Sequence, residues 1–259
     1  MGRPTNRSSP APGGGPRRSG GRAAGGAGSA RGAAVALRLA ELWPDSSCSL
    51  DFRSPFELLV ATILSAQCTD RRVNLVTPGL FRRWPDAAAL AAAPATEVEE
   101  AIRSTGFFRA KAKNIRGCAA ALVERHGGRV PETLAELVRL PGVGRKTANV
   151  VLGVAFGRAE GVVVDTHVGR ISRRLGLTRR SDAPGAEKDL LREIPREHWI
   201  AFSHRLIDHG RAVCLARKPR CGSCGLSDLC PRKGVPGGGD SRAGHGTPGR
   251  RQVQSRRGG

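Results

Sequence analysis

Along most of this chain, apolar residues recur at three- and four-residue spacings between recognisable helix start and stop signals. Ser54-Pro55-Phe56-Glu57 combines a serine N-cap, a proline at the first helical position and a glutamate three residues after the cap. The apolar run LLVATILSA follows directly. Thr96-Glu97-Val98-Glu99 reads as a second capping box, opening a helix through EAIRSTG. Ile115, Ala119 and Leu122 share one helical face, and Gly127-Gly128 stops that helix. PETLAELVRL predicts a short helix, and RKTANVVLGVAFG a longer one closed by Gly157. Val168, Ile171 and Leu175 fall on one face of THVGRISRRLG, which ends at Gly176. PREHWIAFSHRLIDHGRAVC predicts the last long helix. Only GVVV before Asp165 has strand character, and it is too short to build a sheet. The pattern predicts an all-α fold with short connections.

At both ends the pattern stops. Residues 1–31 and 233–259 are rich in Gly, Pro, Ser and Arg and have no means of forming a core, so they are expected to be disordered. They also carry much of the charge. The net charge is +21, of which residues 1–31 contribute six arginines and no acid. The segment between the tails is basic as well, which points to a polyanionic partner, nucleic acid first. No basic amphipathic stretch with an aromatic face suggests a membrane surface, and no apolar run approaches the ~20 residues a bilayer span needs. The N-terminus has no apolar core of a secretory signal, so a cytoplasmic location is expected. Seven cysteines in that reducing setting do not suggest a disulfide framework.

One lysine stands out against this background. Of 43 Lys and Arg residues only six are lysines. Arginine binds phosphate at least as well, but it cannot lose a proton and attack an electrophile. Lys146 lies in LPGVGRKTANVVLG, where a short helix ends, a Pro141-Gly142-Val143-Gly144 turn follows, and a new helix begins at Arg145. The glycines permit close backbone approach, and the free N–H groups of the new helix form an anion site. This is the layout of a helix-hairpin-helix motif holding a DNA backbone phosphate, a contact that positions without reading bases.

Near the C-terminus, Cys214, Cys221, Cys224 and Cys230 follow the spacing C-x6-C-x2-C-x5-C. Four thiolates in so short a segment can close around one metal centre. Either structural zinc or a [4Fe–4S] cluster suits four thiolates. Arg217, Lys218 and Arg220 fill the loop between the first two cysteines, where they can meet phosphate or offset thiolate charge. Cys48, Cys68 and Cys118 have no partner spacing.

Together these segments resemble the endonuclease III family of DNA glycosylases. The resemblance runs from about Ala34 to Cys230 through SPFELLVATILSAQCTD, GFFRAKAKNI, LPGVGRKTANVVL, VDTHVGRISRRLGL, HGRAVCLARKP and the cysteine spacing. It implies two helical lobes with DNA between them: a helical barrel at 48–158, and a cluster lobe from 32–47 and 159–232. It implies a [4Fe–4S] cluster on the four cysteines, Lys146 as nucleophile and Asp165 as its partner. It also implies that Gln67 and Phe107 fill the gap left by an extruded base. The expected function is base-excision repair by a monomer acting on double-stranded DNA with damaged bases, mainly oxidised pyrimidines, or abasic sites. In that chemistry the amine attacks the sugar and a Schiff base leads to β-elimination. Partial burial and the charge of Arg145 are expected to favour the neutral amine.

The resemblance has departures. Phe107 stands where the family often has leucine, Cys68 where it often has alanine, and the basic tails have no counterpart. Adenine glycosylases with the same cysteine spacing typically have serine at the lysine position and VDGN in place of VDTH. A non-catalytic DNA-binding iron–sulfur protein is the alternative reading, and it leaves the choice of Lys over Arg at position 146 unexplained.

Overall fold

The computed structural model describes residues 28–236. Both tails lie outside this range except at their inner edges. The described chain is helical, with no strand among the described residues. Its helices are α1 (Ala30–Leu42), α2 (Pro55–Leu64), α3 (Asp70–Arg83), α4 (Ala87–Ala92), α5 (Ala95–Ala101) and α6 (Phe108–His126). They continue with α7 (Leu134–Leu137), α8 (Arg145–Phe156), α9 (Thr166–Leu175), α10 (Ala183–Glu193) and α11 (Trp199–Ala212).

The local signals act largely as their chemistry requires. Ser54 accepts the Glu57 N–H at 3.2 Å, which satisfies one free amide at the start of α2. The Glu57 carboxylate returns to the Arg53 N–H at 2.7 Å. At the end of α6, Gly127 takes a left-handed conformation, and the Gly128 N–H closes on the Leu122 carbonyl at 2.9 Å.

Three expectations need correction. Thr96 is not a cap: α5 starts one residue earlier, behind Pro94, with no side-chain cap. Residues 30–31 belong to α1 rather than to a disordered tail, because Ser29 caps that helix through the Gly32 N–H at 2.9 Å. Lys233, placed in the C-terminal tail, donates its N–H to the Arg174 carbonyl at 3.2 Å. The GVVV segment pairs with nothing. Val162 and Val164 are buried, so it is a connection whose apolar residues anchor it in a core.

Two apolar cores organise the helices. The first runs from Leu50 to Leu152 and is centred on α2, in which Phe56 through Leu64 are all buried. Helices α3, α6 and α8 pack around it. The second joins Val35 and Leu39 of α1 to Val168, Ile171 and Leu175 of α9, Leu190 of α10, and Phe202 and Leu206 of α11. Burying a side chain of this size contributes roughly 1.5–3 kcal/mol. The chain passes from the first core into the second between Leu152 and Val162, and that connection ends at Asp165, the cap of α9.

Candidate active site and nucleic-acid interface

The hairpin turn is held from beneath. The Val143 side chain is buried in the first core, and its N–H closes on the Leu140 carbonyl at 3.1 Å. Gly142 has φ +76°, and a Cβ there would stand 2.8 Å from Asn114 of α6. Only glycine suits both the conformation and the close approach. Pro141, Gly142 and Gly144 remain exposed, and α8 starts at Gly144 without a side-chain cap. Its first amides are therefore free to bind an anion. Val143, expected among the DNA contacts, has its side chain buried and its N–H engaged within the turn, so it shapes the hairpin from beneath.

Lys146 sits in the first turn of α8 and is exposed, not partly buried as expected. The cleft beside it is open, so none of the described residues covers the amine. Arg145 is also engaged differently from expectation. Its guanidinium forms an ion pair with Glu187 of α10, Nε to Oε2 at 3.0 Å, which pushes the guanidinium pKa further up. The carboxylate offsets the charge that was expected to act on the neighbouring amine.

Asp165 is the N-cap of α9. Its Oδ1 accepts the Val168 N–H at 2.8 Å, leaving its other oxygen free of the cap. Asp165, Lys146 and Gln67 line one open cleft of about 650 Å³, a volume within the ordinary range for ligand sites. Lys146 and Asp165 share this cleft without an ion pair among the described residues. Arg170, Arg173, Thr166, Ser181 and Asp182 are among the other lining residues. The sequence reading missed these residues. Arg170 and Arg173 were visible in it only as members of an arginine-rich stretch.

Phe107 is not in this cleft. It lies at the start of α6, 67% exposed, with φ +48°. Gln67 has φ +53° and is exposed as well. Both are non-glycine residues in the left-handed region, which is uncommon and marks a backbone held by its surroundings. Lys111 supplies part of that hold. It is buried, and its ammonium donates to the Thr105 carbonyl at 2.7 Å, immediately before Gly106-Phe107. Burial pushes its pKa down. His167 packs against α11, where a Cβ on Gly210 would stand 2.7 Å from its Nδ1.

Cys214, Cys221, Cys224 and Cys230 line one apolar cavity beneath α9 and α11. Burial raises the pKa values of Cys224 and Cys230, and the neighbouring cysteines raise them further. The four thiols are therefore within electrostatic reach of one another. Among the described residues, no three His, Cys, Asp or Glu side chains converge tightly enough to hold a single metal ion. Sulfurs spread around a cavity suit a group of several atoms better than one zinc ion. Three arginines, of which Arg174 is buried, brace this loop. Arg174 donates to Cys214 Sγ at 3.3 Å and to the Leu215 and Ala216 carbonyls at 2.7 Å. Arg31 and Arg38 of α1 donate to the Leu229 and Gly225 carbonyls at 2.8 Å. Arg217, Lys218 and Arg220 are exposed. Cys118 is buried and its pKa is pushed up to about 12, so it is inert, while Cys48 and Cys68 are half-buried thiols.

A helical fold with an amine opposite an N-cap carboxylate, next to a hairpin suited to a backbone phosphate, is that of the helix-hairpin-helix base-excision glycosylases. The family model described as HhH-GPD superfamily base excision DNA repair protein matches residues 60–196. That of the iron-sulfur binding domain of endonuclease III matches residues 214–230. The chain belongs to the endonuclease III family. It is 59% identical over 197 residues to Endonuclease III of Synechocystis sp., covering 76% of this chain and 90% of that one. Identity to Endonuclease III of Bacillus subtilis is 47% over 194 residues, covering 74% and 88%. A solved structure described as a non-covalent Endonuclease III–DNA complex aligns with a TM-score of 0.72 at 46% identity, covering 77% and 93%. The chain is accordingly a DNA glycosylase and lyase of base-excision repair, and its cofactor is a [4Fe–4S] cluster.

Proposed function

We propose that this enzyme removes oxidised pyrimidines from double-stranded DNA as a monomer and cuts the resulting abasic site through a Schiff base on Lys146. The observation that carries this reading is the cleft shared by Lys146, Asp165 and Gln67. The target base must leave the stack, because its sugar C1′ is out of reach inside a duplex. The Lys146 amine attacks C1′ as the glycosidic bond breaks, and the base leaves with the bonding pair. The bound nitrogen loses a proton and the sugar ring opens to an iminium. Removal of a C2′ proton then expels the 3′ phosphate. Because Lys146 is exposed in the free protein, the DNA itself excludes water from the amine. The free oxygen of Asp165 stabilises positive charge on the sugar and takes part in proton transfer.

The hairpin backbone at Pro141 to Arg145 grips a phosphate, and Gln67 and Phe107 fill the gap left by the base. The two cores form the lobes on either side of the DNA, and the substrate is chromosomal DNA in the cytoplasm. Cys214, Cys221, Cys224 and Cys230 would hold the cluster. Bound there, it would tie the last loop to the second core, and no step above is routed through it.

Lys146→Arg tests the nucleophile. It keeps the charge and removes the chemistry, because arginine stays protonated. We expect the variant to bind abasic duplex, yet form no borohydride-trapped adduct and make no nick. A nuclease-free Lys146→Arg preparation that still cuts an abasic site would overturn the mechanism.

A further inference from the structure

Three observations meet at Glu187 of α10, a residue with no role in the steps above. It is buried, at 9% exposure. Its carboxylate accepts from Arg145 Nε at 3.0 Å and Nη2 at 3.2 Å, and from Asn149 Nδ2 at 2.9 Å. Arg145 and Asn149 lie one turn apart on α8 and flank Lys146, whereas α10 packs in the second core. Gly161 covers the junction. A Cβ there would stand 2.3 Å from both Asn149 Nδ2 and Glu187 Oε1. Gly161 also opens the connection that ends at Asp165.

A buried carboxylate needs an opposite charge, and removing one partner of such a pair is strongly unfavourable. Arg145 is that partner. Its guanidinium is therefore engaged by Glu187, although the Arg145 side chain itself stays 51% exposed. The same contact ties the first turn of α8 to the lobe that carries Asp165. We infer that Glu187 is a positioning residue for the reaction. By holding Arg145 and Asn149 together, it fixes the start of α8, and so Lys146, relative to Asp165. This rests on Lys146 being the nucleophile.

The test combines single-turnover borohydride trapping with abasic-duplex affinity across a range of salt, for Glu187→Gln, Arg145→Gln and the double variant. A misplacement near 1 Å can slow a reaction by about 10². Adduct formation by Glu187→Gln is expected to be roughly 10- to 100-fold slower, with affinity unchanged or tighter. Its log K against log[salt] slope is expected to steepen by about 0.9, as Arg145 becomes free to meet a phosphate. Arg145→Gln should slow the step similarly without steepening the slope. The double variant should be no slower than the slower single one, since both break one unit. A wild-type rate and slope in Glu187→Gln, or losses that multiply in the double variant, overturn the inference. If Glu187→Gln fails to fold or loses its cluster absorbance, Arg145→Gln decides, and a wild-type rate there overturns it. Absence of an adduct from the wild-type protein is a different result, which sinks the nucleophile assignment instead.

Discussion

The cap made by Asp165 and the catalytic role proposed for it can be separated by one substitution. Its Oδ1 caps α9 and its other oxygen is free. Asparagine caps a helix about as well as aspartate. Asp165→Asn is therefore expected to fold and bind DNA normally while base excision falls by ~10² or more, the loss typical of one electrostatic stabiliser. Single-turnover excision beside a thermal melt checks this, and unimpaired excision would leave Asp165 as a cap only. The places of Lys146 and Asp165 at the starts of α8 and α9 were legible in the sequence, because each lies in a short local motif. Glu187 was not. Its partner Arg145 is 42 residues away, and nothing local to α10 distinguishes this glutamate from a solvent-facing one. The arginines misled for the same reason. Read as surplus charge for a polyanion, several of them, such as Arg174, prove to be internal donors to loop carbonyls.

Among the elements, those with a clear start or stop signal were legible: α2 by its serine cap, and α6, α8 and α9 by the glycines that close them. Helices α3 and α10 escaped the reading because polar residues crowd them and α3 contains Pro78. The capping box at Thr96 failed because α5 begins behind Pro94, whose fixed φ already suits a helix entry. The hairpin gives an element-scale prediction. Gly142→Ala places a Cβ 2.8 Å from Asn114 and imposes φ +76° on a residue that avoids it. The left-handed conformation alone costs about 1–2 kcal/mol. The melting temperature is expected to fall, and affinity for undamaged duplex should weaken alongside lesion binding, since the turn contacts backbone only. Loss confined to damaged DNA would contradict the phosphate role.

At the scale of the whole molecule, burial of His204 and His167 lowers both pKa values from 6.5. The folded state then binds fewer protons than the unfolded state as pH falls below that value. Linkage makes stability decline on acidification through about 6.5 and leaves it unaffected by these groups above neutrality. Urea midpoints at pH 7.5 and 5.5 check the sign, and a smaller difference is expected in His204→Gln. The cluster should matter to the same global stability. Its cavity is walled by the second core, and a metal group bound only in the folded state is itself folding free energy. Cys221→Ser is expected to lose the broad absorption near 400 nm and to melt lower, with α1 and α9 loosened first because their arginines brace that loop. A Cys221→Ser protein that keeps its iron and colour would place the cluster elsewhere, and an iron-free one of unchanged stability would show that the cluster adds nothing to folding.

Gln67 and Phe107 hold left-handed backbones before any DNA is present, and Lys111 pins the second of them from inside the protein. In the role proposed for them, their ordering is complete when the chain folds and is not repeated at each encounter. An enzyme that must test very many normal base pairs for each damaged one gains in tempo from this. Each pair can be probed by wedges already set, so the dwell at an intact step need last no longer than the contact itself. If the proposed role holds, the backbone set in two residues governs how much of a genome one molecule can inspect in a given time.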